Sequence, residues 1–497
     1  MIKKQGRVII GILVFVIVLA VAFFVLQGVL TEETEAPART EGPHGETIGP
    51  NDRVFIIDHI DKSNLKEVTI TNKNGKYRYY RGSDGELYFE GAEGMIYNGE
   101  MTASLIVNAG YLLAVKEVLD YSEDLSLYGL TEEKVTATIE ICSISENVMH
   151  KIYIGDKIVT GGGYYAMLEG RDAVYVLDAD METALLQDIT AYFVPQVAIS
   201  IPQNKYFYTT DFKLFKLGEK QIEIQTLPIA TTTGQSVTYK MIFPGDFIPS
   251  SENFNNILIS FSSFVGESVV EYNLSKLIGI EGTEFTETLL KYGIIDITGK
   301  FNYELNYTYE ETKTVLYISK LCEGDVYYIY SPAYDVIVKF PKVALPWLEW
   351  GLNEYVDEML SKQSIFDIDT IQIITSKYND TYKLSGEMNK LSVVDMATNK
   401  SVSSVIDFQY LYREFIKFAK NDYAEYIEGT KPSLTVIITM ENGDVKEYVF
   451  YDISSRKSFY TINGVGHFCV NRDHVRSFLS NIENFKNGDP IIVGSFE

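Results

Sequence analysis

Three consecutive glycines, Gly161-Gly162-Gly163, are the most conspicuous candidate for chemistry in this sequence. Consecutive glycines can present backbone N–H groups to an anion such as phosphate. A phosphate-binding loop, however, needs the pattern GxxxxGK[ST] between a strand and a helix, and the residues after Gly163 have the pattern of a strand. The run therefore predicts a tight or bulged hairpin turn inside the stretch Lys151 to Leu177.

Histidines are the next candidates, because imidazole serves as a metal ligand and as a general acid or base. His467 and His474 lie seven residues apart. His467 falls inside a predicted strand, Gly466 to Val470, so we do not expect the two rings to converge. His59 and His150 have no partner that the sequence identifies. The sequence therefore predicts no metal site and no cofactor.

Paired carboxylates could supply the acid and base of a glycosidase. Asp178 with Asp180, and Glu132 with Glu133, are such pairs. The chain has 68 acidic residues, so pairs arise throughout it and a solvated surface is the expected setting. The GxSxG elbow of serine hydrolases is missing from the sequence. We therefore predict a protein that is not an enzyme.

Tyrosine-rich strands could instead form a binding surface. The chain has 36 tyrosines, and they are dense at 77–80 and 327–330. An exposed face of tyrosines could stack on sugars or contact a partner, because tyrosine offers a large area at a small loss of side-chain entropy. The alternative is that these are half-buried strand residues whose hydroxyls reach the water boundary. The candidate interaction surface comprises Tyr79, Tyr80, Tyr328 and Tyr330.

Composition limits the class of protein that can carry these residues. With 46% hydrophobic and 22% charged residues the chain is globular, and 497 residues suggest about three domains. The net charge of −25 would be repelled by phosphate backbones, so nucleic acid is excluded as a partner. Three scattered cysteines, Cys142, Cys322 and Cys469, do not form a disulfide framework and are expected to be small, mostly buried hydrophobes.

An apolar run near the amino terminus predicts a membrane anchor. Residues 8–26 are nearly all apolar, and Lys3, Lys4 and Arg7 precede them. A run of this length can cross a bilayer as a helix, and the positive-inside rule keeps the basic end in the cytoplasm. We predict a cytoplasmic tail at 1–7, a transmembrane anchor at 8–30, and an extracytoplasmic remainder of a single-pass protein in the cell membrane.

A cleaved signal peptide is the alternative, because Ala20-Val21-Ala22 resembles a cleavage site. The apolar run continues to Leu26, so cleavage there would leave an apolar new terminus, which favours the uncleaved anchor. Residues 31–53 are rich in Glu, Pro, Gly and Thr and predict a flexible linker.

The rest of the chain predicts three diverged copies of one unit. In each copy a tyrosine follows one strand, and the centre of another strand lies nine residues further on. The pairs are Tyr165 and Val174, Tyr328 and Ile337, and Tyr460 and Cys469. The pattern restarts near Gln196 and Lys362, so the units are 54–195, 196–361 and 362–497.

Each copy also predicts one amphipathic helix. The predicted cap is Thr102 in the first copy and Ser250 or Ser251 in the second. The apolar faces are Leu105, Ile106, Ala109, Leu112 and Leu113; Phe254, Ile257, Leu258 and Phe261; and Phe408, Leu411, Tyr412, Phe415 and Ala419. A helix with one apolar stripe needs a sheet face to cover. The predicted fold is α+β, with three diverged repeats of antiparallel sheet plus amphipathic helix after one transmembrane helix.

Short motifs in the first copy resemble a known family. They are Tyr128-Gly129-Leu130, Ile154-Gly155-Asp156, the tyrosine pair at 164–165, and Val174-Tyr175. Their order is similar to that of the domain of unknown function family 4340, over roughly residues 68 to 195. In the second copy Ser319 replaces the glycine of the second motif.

Members of that family are bacterial, anchored in the membrane at the amino terminus, and often encoded beside ABC-transporter components related to gliding-motility export systems. The resemblance implies an accessory role next to such a transporter, with its permease or associated subunits as partners, and it implies no catalytic residues. We therefore expect a non-enzymatic extracytoplasmic binding or scaffold protein. The alternative is a protein that binds or hydrolyses cell-envelope glycan.

Overall fold

A computed structural model describes residues 40–49, 53–231, 234–278, 283–387 and 390–494. These residues form two compact units, of which the first ends at Val194 and the second begins at Pro195. The predicted tail and transmembrane anchor, residues 1–30, lie outside the described residues. Within the described ranges, no helix is both long and apolar enough to cross a bilayer.

The first unit contains one antiparallel sheet of eleven strands. The strands are β1 (Thr40–Glu41), β2 (Thr47–Ile48), β3 (Val54–Phe55), β4 (Leu65–Asn72), β5 (Gly75–Arg81), β6 (Leu87–Phe89), β7 (Leu113–Glu117), β8 (Ala137–Ser143), β9 (Met149–Lys157), β10 (Tyr164–Leu168) and β11 (Tyr175–Leu177). They lie in the order β1-β2-β3-β7-β11-β10-β9-β8-β4-β5-β6. The unit's α-helices are α1 (Gly99–Gly110) and α2 (Met181–Leu185).

Residues 40–49, which lie within the predicted flexible linker at 31–53, form two short strands. Strands β1 and β2 pair with each other, and β2 pairs with β3, so this segment extends the first sheet. Glu46 is only 2% exposed there, and its carboxylate accepts a hydrogen bond from the backbone N–H of His44. His44 Nε2 also lies 3.2 Å from Glu117 Oε1. Hydrogen bonds to the body of the sheet thus compensate for the low apolar content on which the prediction rested.

The second unit contains two antiparallel sheets of eight strands each. The second sheet has β12 (Thr209–Lys216), β13 (Glu219–Thr231), β14 (Gly234–Phe243), β15 (Ser268–Tyr272), β16 (Tyr303–Tyr309), β17 (Thr312–Ile318), β18 (Val326–Ser331) and β19 (Val336–Pro341). The third has β20 (Ile368–Thr375), β21 (Asn379–Ser385), β22 (Ser392–Asp395), β23 (Lys400–Ser401), β24 (Pro432–Met440), β25 (Val445–Asp452), β26 (Lys457–Ile462) and β27 (Val465–Asn471). The described α-helices of the second unit are α3 (Ser251–Ser260), α4 (Leu274–Ile278), α5 (Thr283–Lys291), α6 (Leu352–Tyr355), α7 (Val405–Ile416) and α8 (Arg472–Asn487).

Seven strands of each sheet follow the same order. The orders are β6-β5-β4-β8-β9-β10-β11, β14-β13-β12-β16-β17-β18-β19 and β22-β21-β20-β24-β25-β26-β27. In each sheet one helix, α1, α3 or α7, follows the first three of these seven strands in the chain. The same helix precedes the middle strand of the seven, which is β8, β16 or β24. The α+β fold with three antiparallel sheets is therefore confirmed.

Those three helices pack an apolar face inward. Leu105, Ile106 and Ala109 of α1 are buried, as are Phe254, Ile257 and Leu258 of α3, and Phe408, Leu411, Tyr412 and Phe415 of α7. Full burial of one such side chain stabilises the fold by roughly 1.5–3 kcal/mol. This face is what holds each helix to its sheet.

The helix starts agree with the prediction only in part. Ser250 caps α3, since its side chain accepts a hydrogen bond from the N–H of Asn253. The predicted cap Thr102 is wrong, because Asn98 caps α1 and Thr102 lies inside the helix, where its hydroxyl donates to the Asn98 carbonyl at 3.0 Å. Asn is at least as good an N-cap as Thr. Ala419 lies beyond the end of α7 at Ile416.

Candidate binding cleft

A polar cleft of about 710 Å³ lies in the second unit and is lined by residues of both its sheets. Strand β14 contributes Tyr239 and Lys240, and the loop that follows it contributes Asp246. The segment before β20 contributes Asp367, and β25 contributes Lys446. Pockets that bury small ligands have volumes of about 300–1,000 Å³, so this cleft is large enough to hold one.

The loop between β14 and α3 is anchored firmly enough to fix the position of Asp246. Phe247 is buried, and its ring centroid lies 5.8 Å from that of Phe468 on β27. The carbonyl of Ile248 accepts a hydrogen bond of 2.7 Å from the N–H of Asp357. A loop held by a buried aromatic ring and a backbone hydrogen bond presents its polar residue at a defined place.

Asp246 is oriented by the turn between β26 and β27. Asn463 Nδ2 donates a hydrogen bond of 2.8 Å to Asp246 Oδ2. Asn463 has a φ of +49°, a left-handed conformation that asparagine tolerates better than most residues. Asn463 Oδ1 in turn accepts from the N–H of Glu447 at 2.8 Å. One carboxylate oxygen of Asp246 is therefore held by this turn.

Lys446 is a half-buried lysine of the cleft with one long hydrogen-bond contact. Its side chain is half-buried, and Nζ makes a long contact of 3.4 Å with the backbone carbonyl of Asp246. Burial lowers the pKa of Lys446, while the nearby Asp246 carboxylate acts to raise it and the Lys240 ammonium to lower it. The ammonium thus carries a desolvation penalty that its protein contacts offset only in part.

The two other cleft lysines have different surroundings. Lys362 Nζ lies 2.6 Å from Asp357 Oδ2 and so is neutralised by a carboxylate. Lys240 is exposed on β14. Across the part of the chain that the structure describes, no ion pair joins Lys240 or Lys446 to a carboxylate. Among the described residues the cleft therefore holds two lysines outside any ion pair, Lys240 and Lys446, beside one that is paired, Lys362.

One edge of the cleft is braced by a buried polar network around Gln363. Tyr412 donates a hydrogen bond of 2.7 Å to the Gln363 carbonyl, and Ser361, which is fully buried, donates to Gln363 Oε1. The hydroxyl of Tyr448 lies 3.5 Å from the same oxygen. Burial raises the pKa of Tyr448 to about 12, so its hydroxyl stays neutral. A satisfied network of this kind keeps the cleft edge rigid.

The predicted tyrosine surface draws on residues of both units. Tyr79 is 4% exposed, and its ring lies 4.5 Å from that of Phe89 in the core of the first unit. Tyr330 is 6% exposed and belongs to a core cluster with Ile337 in the second unit. These two rings present no free face to a ligand.

Tyr80 and Tyr328 are half-buried and remain candidates. The Arg78 guanidinium lies 4.9 Å from the ring centroid of Tyr80. The Tyr80 hydroxyl donates a hydrogen bond of 3.3 Å to Glu93 Oε1. Tyr328 packs against Tyr292, with ring centroids 4.9 Å apart. Each tyrosine lies in a different unit, so the interaction surface stays a prediction for these two residues separately.

The glycine run is a hairpin turn, as predicted. The N–H of Ile158 donates to the Gly163 carbonyl at 2.8 Å, between β9 and β10. Gly163 has a φ of +135°, and a Cβ atom there would lie 1.8 Å from the carbonyl oxygen of Leu177. Close approach of β10 to β11 thus explains this glycine. Gly161 and Gly162 face open space.

The other family motifs have a similar structural explanation. A Cβ atom on Gly155 would lie 2.1 Å from the carbonyl oxygen of Tyr128, and one on Gly129 would lie 2.6 Å from the Asp156 side chain. Gly129 also has a φ of +67°. The two motifs are therefore halves of one tight contact, in which the turn after Tyr128 lies directly on β9.

The two carboxyl-terminal histidines stand on different elements. His467 lies in β27, as predicted, and His474 in the first turn of α8. Burial lowers the pKa of both rings. Searching the described ranges finds no group of three or more His, Cys, Asp or Glu side chains arranged to hold a metal ion.

The first unit contains a titratable cluster that the sequence did not reveal. His59 Nδ1 lies 2.9 Å from Asp58 Oδ1, and His59 Nε2 lies 2.9 Å from Glu146 Oε1. His150 Nε2 approaches the other oxygen of Glu146 at 3.4 Å. The hydrogen bond with Asp58 is the main cause that raises the pKa of His59. With both ring nitrogens facing carboxylates, the protonated ring fits this site best.

One carboxylate pair shapes a turn, the other pair, Glu132 and Glu133, is exposed, and the cysteines are free. Asp178 Oδ1 accepts from the N–H of Asp180 at 2.9 Å in the turn before α2. Cys142 and Cys469 are buried and Cys322 is half-buried, all as free thiols.

Sequence reasoning missed the cleft residues because they are far apart in the chain. Asp246 and Lys446 are separated by 200 positions and meet only through the packing of two sheets. The one local signal is Pro244-Gly245-Asp246, a loop sequence between a strand and a helix.

Comparison with known proteins confirms the resemblance to a family and extends no further. The model of a domain of unknown function (DUF4340) matches residues 97–235, which is less than a third of the chain. The match runs from the start of α1 into β14, so it begins and ends later than the motifs had indicated. No curated protein and no solved structure matches this chain.

Proposed function

We propose that this protein is a membrane-anchored, extracytoplasmic binding protein that acts beside an ABC-type export system related to gliding-motility exporters. The observation that carries the binding role is the polar cleft of about 710 Å³ in the second unit. Its walls come from two sheets braced by buried residues, which suits a preformed ligand site. The role proposed is non-enzymatic.

Sequence features support the location. Residues 8–30 serve as a single-pass anchor, with Lys3, Lys4 and Arg7 on the cytoplasmic side. The net charge of −25 suits a body that is repelled by anionic lipid headgroups and stands away from the membrane surface. The transporter partner rests on the family resemblance and on the match at 97–235.

We also infer that the three sheets are diverged repeats, covering 54–195, 196–361 and 362–497. The seven-strand order that all three share supports this inference. So does the position of α1, α3 and α7 in corresponding places of the chain.

Purification from membranes in mild detergent tests the transporter role. We expect mass spectrometry to identify a permease or ATPase subunit with the full-length chain. The control replaces residues 8–26 with an unrelated single-pass helix, which separates docking through the anchor from docking through the ectodomain. Recovery of this chain without any transporter subunit, in both forms, would contradict the proposal.

A cell-envelope glycan-binding protein or glycan hydrolase is the second candidate, favoured by the two carboxylates that line the cleft, Asp246 and Asp367. A hydrolase uses two carboxyl groups on either side of the scissile bond. Incubation with purified envelope glycan should then release reducing ends, and Asp246→Asn and Asp367→Asn should each abolish the release. Binding without release, retained in both variants, would leave a glycan-binding protein and exclude this hydrolase.

A further inference from the structure

The two cleft lysines outside any described ion pair, Lys446 and Lys240, point to the chemistry of its ligand. Lys446 is half-buried, and its one hydrogen-bond acceptor in the described protein lies at a long 3.4 Å. An ordinary N–H···O hydrogen bond is about 2.9–3.0 Å long. An ammonium group has three donors, so at least two donors of Lys446 are available to a ligand.

Charge reinforces this reading. Lys240 acts on Lys446 as a like charge, while the carboxylates of Asp246 and Asp444 act on it as opposite charges without forming an ion pair. The chain as a whole has a net charge of −25, so two lysines in one cleft that form no ion pair among the described residues run against its overall composition. An anionic group between the two lysines would offset both the desolvation and the repulsion.

The remaining walls indicate what the anion is attached to. Ser251 and Thr238 supply hydroxyls, and Asp246 and Asp367 supply carboxylates that accept hydrogen bonds from a ligand. One oxygen of Asp246 is already held by Asn463, which leaves the other available. Carboxylates select hydroxylated ligands and repel polyanions, because each further anionic group would face them.

We propose that the cleft binds a hydroxylated ligand with one anionic group, of the class of a phosphorylated sugar or a uronic acid, and that Lys446 and Lys240 hold the anion. This inference rests on the proposed binding role and names its ligand class. Phosphate and carboxylate share the chemistry that the two ammonium groups recognise. Comparing the affinities of a phosphorylated sugar and a uronic acid decides which anionic group the cleft prefers.

Calorimetric titration of the purified full-length chain in detergent provides the test. The probes are glucose 6-phosphate, glucuronate, glucose and inorganic phosphate. We expect at least one of the charged sugars to bind more tightly than glucose by about tenfold or more. Binding of inorganic phosphate as tightly as either charged sugar would show that the hydroxyl-binding walls contribute nothing, and that part of the proposal would be withdrawn.

Variants assign the effect to the cleft. Lys446→Gln and the double change with Lys240→Gln should weaken binding of the charged sugar by about tenfold or more, with glucose binding unchanged. Lys383→Gln is the matched control, because Lys383 is an exposed lysine paired with Asp369 on the third sheet. Circular dichroism of each variant verifies the fold before titration.

Two outcomes would overturn the inference. One is equal affinity of the charged and neutral sugars, including no detectable binding of either. The other is unchanged binding of the charged sugar in the folded double variant. Failure to recover a transporter subunit would sink the transporter role alone, since ligand titration of the isolated chain does not depend on that partner.

Discussion

Lys420 and Lys446 are two half-buried ammonium groups of the second unit with opposite surroundings. Lys420 Nζ donates to the carbonyls of Asn353 and Val356, both at 2.9 Å. Burial lowers its pKa, while the carboxylates of Glu358 and Asp357 act to raise it. Lys446 has one acceptor at 3.4 Å and a second lysine nearby.

The difference separates a structural cation from one that is available to a ligand. Lys420 ties the end of α6 to the segment that follows α7 and has good acceptors for its donors. Lys446 is half-buried as well but lacks comparable contacts. Burial of a charge by itself therefore does not identify a site; the number and length of its hydrogen bonds within the protein do.

Lys420→Met should give the largest effect on stability. Removal of the ammonium leaves the carbonyls of Asn353 and Val356 without a donor, at a penalty of about 1–3 kcal/mol for each group that stays buried. We expect the free energy of unfolding of the second unit to fall by about 2–3 kcal/mol. Urea unfolding followed by circular dichroism measures the fall, and hydrogen exchange at residues 352–356 localises it.

The control for this variant is Lys383→Met, which removes an exposed ion pair with Asp369 and should change stability by less than about 1 kcal/mol. A loss for Lys420→Met no larger than that of the control would show that Lys420 is not structural. The contrast with Lys446 would then disappear.

Lys446→Met should give a smaller change of the opposite sign. An apolar side chain of similar length removes an ammonium whose desolvation is poorly compensated. We expect the free energy of unfolding to stay the same or to rise by up to about 1 kcal/mol in the absence of ligand. The same urea titration measures it, and a loss comparable to that of Lys420→Met would mean that Lys446 is held by contacts as good as those of Lys420.

Local patterns predicted the secondary structure well. In Ile371-Gln372-Ile373 apolar and polar residues alternate, and in β20 the two isoleucines are buried while Gln372 is half-buried. Alternation reports burial of one face directly, so it survives without knowledge of the partner strand. The cap of α1 was missed because Thr102 and Asn98 are both suitable N-caps, and local sequence does not decide which turn of the chain begins the helix.

The candidate cleft could not be predicted in the same way. Its charge depends on which lysines lack a carboxylate, and that is a property of tertiary packing. Lys362 lies at ion-pair distance from the Asp357 carboxylate, whereas Lys446 contacts the backbone carbonyl of Asp246 at 3.4 Å. The glycine run was conspicuous in sequence, but the close carbonyl oxygen of Leu177 explains Gly163 by strand packing.

The pH dependence of stability sharpens the description of Lys446. Its pKa in the folded chain lies below the ordinary value of 10.5, so the charged form is disfavoured by folding. Asp246, Lys240 and Asp444 are the charged groups that act on it. As pH rises from the folded pKa toward 10.5, the wild type should gain stability relative to Lys446→Met.

Unfolding free energies of the two proteins at pH 7 and pH 9.5 give the measurement. Tyrosines titrate in the same range, but their contribution is common to both chains and cancels in the difference. A difference that does not change with pH would mean that the folded protein leaves the pKa of Lys446 at its ordinary value.

His59 in the first unit should show the smallest effect, with the reverse sign. Its pKa lies above the ordinary value of 6.5, because Asp58 and Glu146 face its two nitrogens, and His150 shares Glu146. A raised pKa adds stability that is fully present below pH 6.5 and is lost as pH rises through the folded pKa. We expect His59→Gln to lose less than about 1 kcal/mol at pH 5.5 and nothing at pH 8.5, since the ring is partly exposed.

His467→Gln supplies the opposite control in the second unit. Burial alone lowers the pKa of His467, so its contribution grows as pH rises from the folded pKa through 6.5. The substitution also alters packing against Phe247, so only the change with pH is compared and the offset is ignored. We expect the loss of unfolding free energy to change with pH in opposite directions for the two variants between pH 5.5 and pH 8.5. That result would show that carboxylates favour the charged form of His59, whereas burial disfavours the charged form of His467. Parallel slopes would show that the carboxylates around His59 do not compensate its charge.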